Sequence, residues 1–229
     1  VSFFAAPTMV TRLLADTAAA GADTRNLQTL IYGGAPMYVA DCRRAIERFG
    51  PRLFNLYGQG ESPMTITGLP QSMHADCTAA DFDARLGSCG PARTGVEVAV
   101  VDADDRPLPT GTVGEIVTRS DCVMQGYWGN AAASAAALRG GWLHTGDLGS
   151  LDARGLLTLH DRSKDLIIAG GSNIYPREVE EVLLRDARVA ECAVVGRPHP
   201  DWGEEVVAFI VAAGPDAPAP AALDALCLA

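Results

Sequence analysis

Glu61 closes the run Tyr57-Gly58-Gln59-Gly60-Glu61, a carboxylate placed among glycines where neither a strand nor a helix calls for one. A hard oxygen ligand in such a place suits Mg²⁺, which favours oxygen and bridges phosphates; the plain alternative is a solvated loop glutamate. Asp147 lies in Gly141-Trp142-Leu143-His144-Thr145-Gly146-Asp147-Leu148. Ionised, it can accept charge-assisted hydrogen bonds from two vicinal hydroxyls, as a ribose offers, or it caps the strand that Thr145-Gly146-Asp147 is expected to open. His144 has no nucleophile beside it in sequence and reads as an ordinary loop histidine rather than a general base. Gly33-Gly34-Ala35-Pro36 is a turn, and its glycines also allow the backbone a close approach to a flat ligand.

A fourth segment runs from Asp161 to Leu183. Its charged start, Arg162-Ser163-Lys164-Asp165, falls where a β-rich pattern gives way to a smaller α+β one, and a polar junction between domains suits a hinge. Gly170-Gly171 leaves room for the backbone to pass close to a ligand chain. Pro176 suits a first helical position, and Glu178, Glu180 and Glu181 complement the positive helix end, so these glutamates read as structural.

The elements that hold these segments follow from periodicity. Residues 8–20 read as a helix with Met9, Leu13 and Leu14 on one face. A strand over 27–32 runs into Gly33-Gly34, Val39, Cys42, Ile46 and Phe49 mark a helix over 39–49, and a strand over 53–57 breaks at Gly58-Gln59-Gly60-Glu61. This β-α-β order predicts parallel neighbouring strands, with both glycine-bearing breaks at the carboxyl edge, where open parallel sheets bind ligands. Short strands with tight turns are expected at 96–102, 114–120, 146–151 and 156–161. A strand over 165–168, a helix over 176–185, strands near 189–196 and 206–212, a Pro/Ala-rich linker at 214–220 and a last helix complete the chain. The expected fold class is mixed α/β and α+β. It comprises part of a parallel-sheet subdomain at 1–85, a β-rich subdomain at 86–163 and a small mobile α+β domain at 164–229.

The 229 residues carry a formal net charge of −10, and Lys164 is the single lysine among 18 basic residues. No basic stripe exists to track a phosphodiester backbone, so nucleic acid is not an expected partner. A hydrophobic fraction of 48% suffices for a folded core. No apolar run nears the roughly 20 residues of a membrane span, and Val1-Ser2-Phe3-Phe4 lacks the basic flank of a signal peptide. Cys42, Cys77, Cys89, Cys122, Cys192 and Cys227 are scattered, without metal-ligand spacing, which fits reduced thiols in a cytoplasm. The acidic charge leaves the oligomeric state open, a homodimer included.

In this order and at these separations the four segments resemble the adenylate-forming superfamily of acyl-CoA synthetases, nonribosomal-peptide adenylation domains and firefly luciferases. Trp142-Leu143-His144-Thr145-Gly146-Asp147 and Asn173-Ile174-Tyr175-Pro176 look like the acyl-CoA ligase versions. The resemblance covers essentially the whole chain and only the second half of the family's length. It implies that a carboxylic acid, with a fatty acid as the expectation, attacks the α-phosphate of ATP. Pyrophosphate leaves, the small domain rotates, and the thiol of coenzyme A takes the acyl group from the adenylate. The implied roles place Gly33, Gly34 and Ala35 along the adenine and acyl pocket, and Tyr57 beside adenine with Gly58 and Gln59 in the same nucleotide-binding run. Glu61 falls on Mg²⁺, Asp147 and Arg162 on the ribose, Lys164 at the hinge and Gly171 along the pantetheine tunnel. An adenylation domain that loads a carrier protein and a non-catalytic nucleotide-binding module are the alternatives.

Gly60 departs from the family, which usually has threonine there; the lost hydroxyl bond to phosphate is worth about 0.5–1.5 kcal/mol. The family's Ser/Thr/Gly-rich phosphate loop and its C-terminal catalytic lysine have no counterpart in these residues. The expectation is therefore that this chain by itself forms no acyl-adenylate at a useful rate.

Overall fold

In the computed structural model, which describes residues 1–228, parallel strands build the first sheet as the β-α-β order requires. Ala229, the last residue of the expected 164–229 domain, lies outside the described residues. Strands β1 (Ser2–Ala5), β2 (Thr29–Gly33) and β3 (Leu53–Gln59) run parallel in that order, and β4 (Ser62–Leu69) adds antiparallel to β3. Helix α3 (Val39–Phe49) turns Cys42, Ala45 and Phe49 onto Leu30, Tyr32 and Leu53 of the sheet, with Val10 of α1 (Pro7–Ala15) in the same core.

Two sequence expectations need correction here. The single helix over 8–20 is split at Asp16, whose Oδ1 accepts from the Ala18 amide at 2.8 Å and restarts the chain as α2 (Thr17–Ala20). An aspartate that caps its own neighbours competes with continued helix. Nor does the strand end before Gly58: β3 runs through Gln59, reverses over Gly60-Glu61 and pairs Gln59 with Ser62. Glu61 is thus at a hairpin tip.

Short helices α4 (Gln71–Ala75) and α5 (Phe82–Leu86) lead to a second sheet. Its strands β5 (Glu97–Val101), β6 (Gly114–Arg119), β7 (Leu143–Leu151) and β8 (Leu157–Arg162) lie in sequence order, antiparallel across β5, β6 and β7. Helix α6 (Ala131–Ala137), capped by the Asn130 side chain on the Ala133 amide at 3.0 Å, lies in the connection between β6 and β7. Because β7 starts at Leu143, Thr145-Gly146-Asp147 lies within a strand and does not open one. The two sheets share a core of Tyr57, Ile66, Cys89, Val100, Ile116 and Leu157, each large apolar side chain contributing about 1.5–3 kcal/mol by burial. Together these elements form one compact unit, Val1–Leu159.

A second unit begins at His160. There β9 (Ile167–Ala169) and β10 (Ser172–Ile174) form a hairpin over Gly170-Gly171. With β11 (Val189–His199) and β12 (Gly203–Ala212) they make an antiparallel sheet of order β10-β9-β12-β11. Helix α7 (Pro176–Leu183), two residues shorter than expected, and α8 (Pro220–Cys227) complete a core of Ile167, Leu183, Val189, Val194 and Leu223. Glu180 accepts from the Val194 amide at 2.9 Å and Glu178 pairs with His160 at 2.7 Å, the structural work expected of both glutamates. Among the described residues no helix is long and apolar enough to cross a membrane, and none of the six cysteines is in a disulfide.

Candidate functional site

The carboxyl end of β2 meets β3 where the two sequence breaks were expected to converge. Gly33 pairs with Leu56, so the exposed residues Gly34, Ala35 and Pro36 leave the sheet beside Tyr57. The need for glycine at Gly33 and Gly58 has an internal cause. A Cβ on Gly33 would stand 2.2 Å from the Leu56 carbonyl oxygen, and one on Gly58 would stand 2.3 Å from the Met64 nitrogen. At both positions the chain's own backbone already requires glycine. Gly34, exposed and at φ +84°, keeps the ligand-facing reading.

The crowding at Gly58 comes from an irregularity in the hairpin. Tyr57 pairs with Thr67 and Gln59 with Ser62, so Gly58 alone faces Pro63, Met64, Thr65 and Ile66. The slack folds Met64 over the turn in a left-handed conformation, φ +53°, costly for a residue with a long side chain.

A second irregularity delivers the carboxylate. Glu115 pairs with Leu148 and Val117 with His144, so Ile116 alone faces Thr145, Gly146 and Asp147. Such a bulge strips backbone groups of ladder partners, and buried ones need replacements. Glu115 Oε1 accepts from the Gly146 amide at 3.1 Å, and Thr145 Oγ1 accepts from the Asp147 amide at 3.1 Å while donating to the Ile116 carbonyl at 2.7 Å. Gln59 Nε2 donates to the Thr145 carbonyl at 2.8 Å.

Asp147, 7% exposed, is thereby brought to β3. Its Oδ2 accepts from the Tyr57 phenol at 2.7 Å and from Gln59 Nε2 at 2.8 Å. Charge-assisted bonds of this kind offset the cost of removing a carboxylate from water. Burial, then the Asp147 charge and bond, push the Tyr57 phenol far above its ordinary range, so it stays a donor. Two residues earlier on the same face of β3, buried Asn55 keeps Oδ1 without a hydrogen-bond partner among the described residues. An orphaned acceptor next to such a site is a place for a ligand N–H.

Glu61 is held in turn by the loop after β6. Its Oε1 accepts from the Tyr127 phenol at 2.7 Å and its carbonyl from the Met124 amide at 2.8 Å, while Tyr127 is itself fixed by its amide donating to Ser134 Oγ at 2.8 Å. The bond to Glu61 raises the Tyr127 pKa. The second Glu61 oxygen carries no hydrogen bond among the described residues. A half-exposed carboxylate with one free oxygen fits Mg²⁺, which uses one or two carboxylates plus substrate phosphates.

Residues 2–128 match the AMP-binding enzyme family, and residues 178–227 match the AMP-binding enzyme C-terminal domain. This chain belongs to the AMP-binding enzyme family. Among its relatives is the medium/long-chain-fatty-acid–CoA ligase FadD8 of Mycobacterium tuberculosis, 38% identical over 205 residues that cover 90% of this chain and 35% of FadD8. The fatty acid–[acyl-carrier-protein] ligase ScoC of Streptomyces coeruleorubidus is 35% identical over 93% of this chain and 40% of its own length. The solved amide bond synthetase McbA of Marinactinospora thermotolerans superposes with a TM-score of 0.87 at 38% identity, covering 99% of this chain and 45% of McbA. The chain thus spans less than half the length of each of these relatives.

Within this AMP-binding enzyme chain, three of the four segments named from sequence meet in the first unit: Gly33-Gly34-Ala35, Tyr57 to Glu61, and Asp147. Arg162, Lys164 and Gly171 lie in the second unit. Arg162 and Lys164 are exposed, and Gly171 sits at the β9–β10 hairpin tip at φ +83° with open space where a Cβ would be. His144 is not a loop residue: it lies on β7, its side chain 5% exposed, with Nδ1 2.9 Å from Glu115 Oε2. Sequence reading missed Asn55, Glu115, Thr145 and Tyr127. Only the alternation on β3 pointed to Asn55, Thr145 stood in the Thr145-Gly146-Asp147 segment without a role, and nothing in sequence pointed to Glu115 and Tyr127, whose partners lie on distant strands and loops.

Proposed function

We propose that this chain supplies much of the nucleotide site of an ATP-dependent ligase that activates a carboxylic acid as its acyl-adenylate and passes the acyl group to coenzyme A. The observation that carries the reading is Asp147, a buried carboxylate held by Tyr57 and Gln59 of β3, the strand beside which the exposed residues Gly34 and Ala35 leave β2. Adenine would lie along the backbone of Gly34 and Ala35 beside Tyr57, its exocyclic amine donating to Asn55 Oδ1. The ribose hydroxyls would donate to Asp147, with Arg162 of the second unit as a further ribose ligand. Glu61 would hold Mg²⁺, which supplies charge neutralisation at phosphate oxygens. Lys164 would serve as the hinge of a mobile 164–229 domain, and Gly171, open at its hairpin tip, would line the path of the pantetheine arm.

In the first half-reaction a carboxylate oxygen of the acid bonds to the α-phosphorus of ATP and the bond to pyrophosphate breaks. In the second, the thiol sulfur bonds to the acyl carbon, loses its proton and releases AMP. A fatty acid is supported as the substrate class by the likeness to FadD8. ScoC and McbA, similar to this chain to almost the same degree, carry names that specify a carrier protein and an amide product. Transfer to a carrier protein is therefore the second reading, and the acceptor needs its own test.

The test is exchange of labelled pyrophosphate into ATP by the intact natural protein, with a panel of carboxylic acids, followed by addition of coenzyme A or a phosphopantetheinylated carrier. Acid-dependent exchange followed by acyl-CoA release is expected. Exchange independent of any acid would overturn the ligase reading, and acyl transfer only to the carrier would replace the acceptor.

A further inference from the structure

Glu115 and its neighbours form a charged cluster outside the residues just assigned. Glu115 Oε1 holds the Gly146 amide at 3.1 Å, and its Oε2 lies 2.9 Å from His144 Nδ1 and 3.2 Å from Arg139 Nη2. Arg139 in turn grips Asp105 through Nε at 3.0 Å and Nη2 at 2.9 Å. Asp105, Glu115 and His144 are close enough to ligate a cation, but the Arg139 guanidinium already supplies positive charge to both carboxylates, which argues against a metal there.

What the cluster touches is the bulge. Gly146, at φ +68°, is the middle residue of the three that face Ile116 alone, and its amide is turned toward Glu115. His144, the last paired residue before the bulge, lies two positions ahead of Gly146, so the two oxygens of one Glu115 carboxylate pin the start and the crest of the bulge. Thr145 pins the remainder through the Ile116 carbonyl and the Asp147 amide. A side chain restrained at both oxygens has little freedom to let its partner relax, which is how a supporting shell keeps a binding group aimed.

We propose that Glu115, braced by His144 and Arg139, is the positioning residue that aims Asp147 at the vicinal hydroxyls of a bound nucleotide's ribose. The inference rests on the ribose role of Asp147 proposed above. Glu115 itself touches no nucleotide; it acts through the Gly146 amide. Its loss should therefore weaken only those nucleotides that carry the hydroxyls.

The experiment compares ATP with 2′,3′-dideoxy-ATP, which lacks both hydroxyls, by measuring Kd on the intact natural protein and on its Glu115→Ala, Glu115→Gln and Asp147→Ala variants. For Glu115→Ala, ATP binding should weaken roughly tenfold, the worth of one hydrogen bond to a charged group, while dideoxy-ATP binding stays near its native value. Glu115→Gln keeps an acceptor for the Gly146 amide and loses the charge facing Arg139; it should fall between the two and tests the proposal if the alanine variant does not fold. Equal weakening of both nucleotides by Glu115→Ala or Glu115→Gln, with Asp147→Ala still selective for ATP, would overturn the positioning role and leave the ribose reading intact. An Asp147→Ala variant that weakens both nucleotides equally would sink the ribose reading and the positioning role with it.

Discussion

Asp147 is buried, tied to Tyr57 and Gln59, and carried on a bulge whose backbone is held by Glu115 and Thr145, whereas Lys164 lies in an exposed turn with no ion pair or hydrogen bond among the described residues. Both were named from sequence as functional, yet the chain treats them oppositely. A carboxylate that must meet a ligand in one geometry gains from surroundings that fix it beforehand, because none of the binding energy is then spent on reorganisation. A residue proposed to turn one unit against another gains from having nothing to break.

The contrast can be broken most severely at Gly58. A Cβ there would meet backbone of Met64 and Ser62 within 2.4 Å, so Gly58→Ala should lower stability by about 3 kcal/mol, read as a shift in denaturant midpoint. A loss below half of that would mean the hairpin is softer than its contacts imply.

The fixed region also extends beneath the site. His74 is fully buried, with Nε2 3.1 Å from the Tyr32 hydroxyl and Nδ1 3.0 Å from the Pro70 carbonyl, and burial lowers its pKa from 6.5 to about 4. Between those two values the unfolded chain takes up a proton that the folded chain refuses, so stability is present above pH 6.5 and is lost as pH falls toward 4. The loss is on the order of 3 kcal/mol across that window. Denaturation of the native and His74→Gln proteins at several pH values checks it: the variant's curve should be flatter through the window, and parallel curves would refute the assignment.

Tyr57→Phe isolates one bond to Asp147. It should cost about 1.5 kcal/mol of stability and raise the Kd for ATP, since the carboxylate loses one of its guides; an unchanged Kd would mean that Gln59 alone suffices. At the opposite extreme, Lys164→Pro fixes φ in an exposed turn and should slow acyl transfer to the thiol more than adenylation in the intact protein. Equal loss in both half-reactions would remove the hinge assignment. The smallest effect is expected at Gly60, where a Cβ meets nothing within 4 Å. Gly60→Thr should change stability by less than about 0.5 kcal/mol, and any gain in ATP affinity would report the hydroxyl that this chain lacks.

Local pattern made much of the fold legible. Alternation through Leu30 and Tyr32, and the spacing of Cys42 and Phe49, set the parallel strands and their connecting helix, whereas the three-residue strand Ser172–Ile174 after Gly170-Gly171 was too short to show a pattern. The site was legible as residue types and, for Gly33-Gly34 and Tyr57 to Glu61, as two neighbouring strand ends, but not in the contacts that hold Asp147. Thr145-Gly146-Asp147 looks like the start of a strand because glycine and aspartate are depleted from strand interiors, and the bulge that encloses it appears only when β6 supplies a single residue opposite three. Glu115 and His144 are 29 positions apart and Tyr127 and Glu61 are 66 apart, separations across which periodicity carries no signal. Asp16 shows the same limit at short range, where a side-chain cap overrode an unbroken helical pattern.

Calorimetric titration of AMP into the intact natural protein and into its Asp147→Asn variant tests the central claim most directly. The variant keeps the shape of the bulge and removes the charge, so AMP should bind roughly ten- to hundredfold more weakly. An AMP affinity unchanged by Asp147→Asn would contradict the account, because the buried carboxylate held by Tyr57 and Gln59 would then have no part in binding the nucleotide.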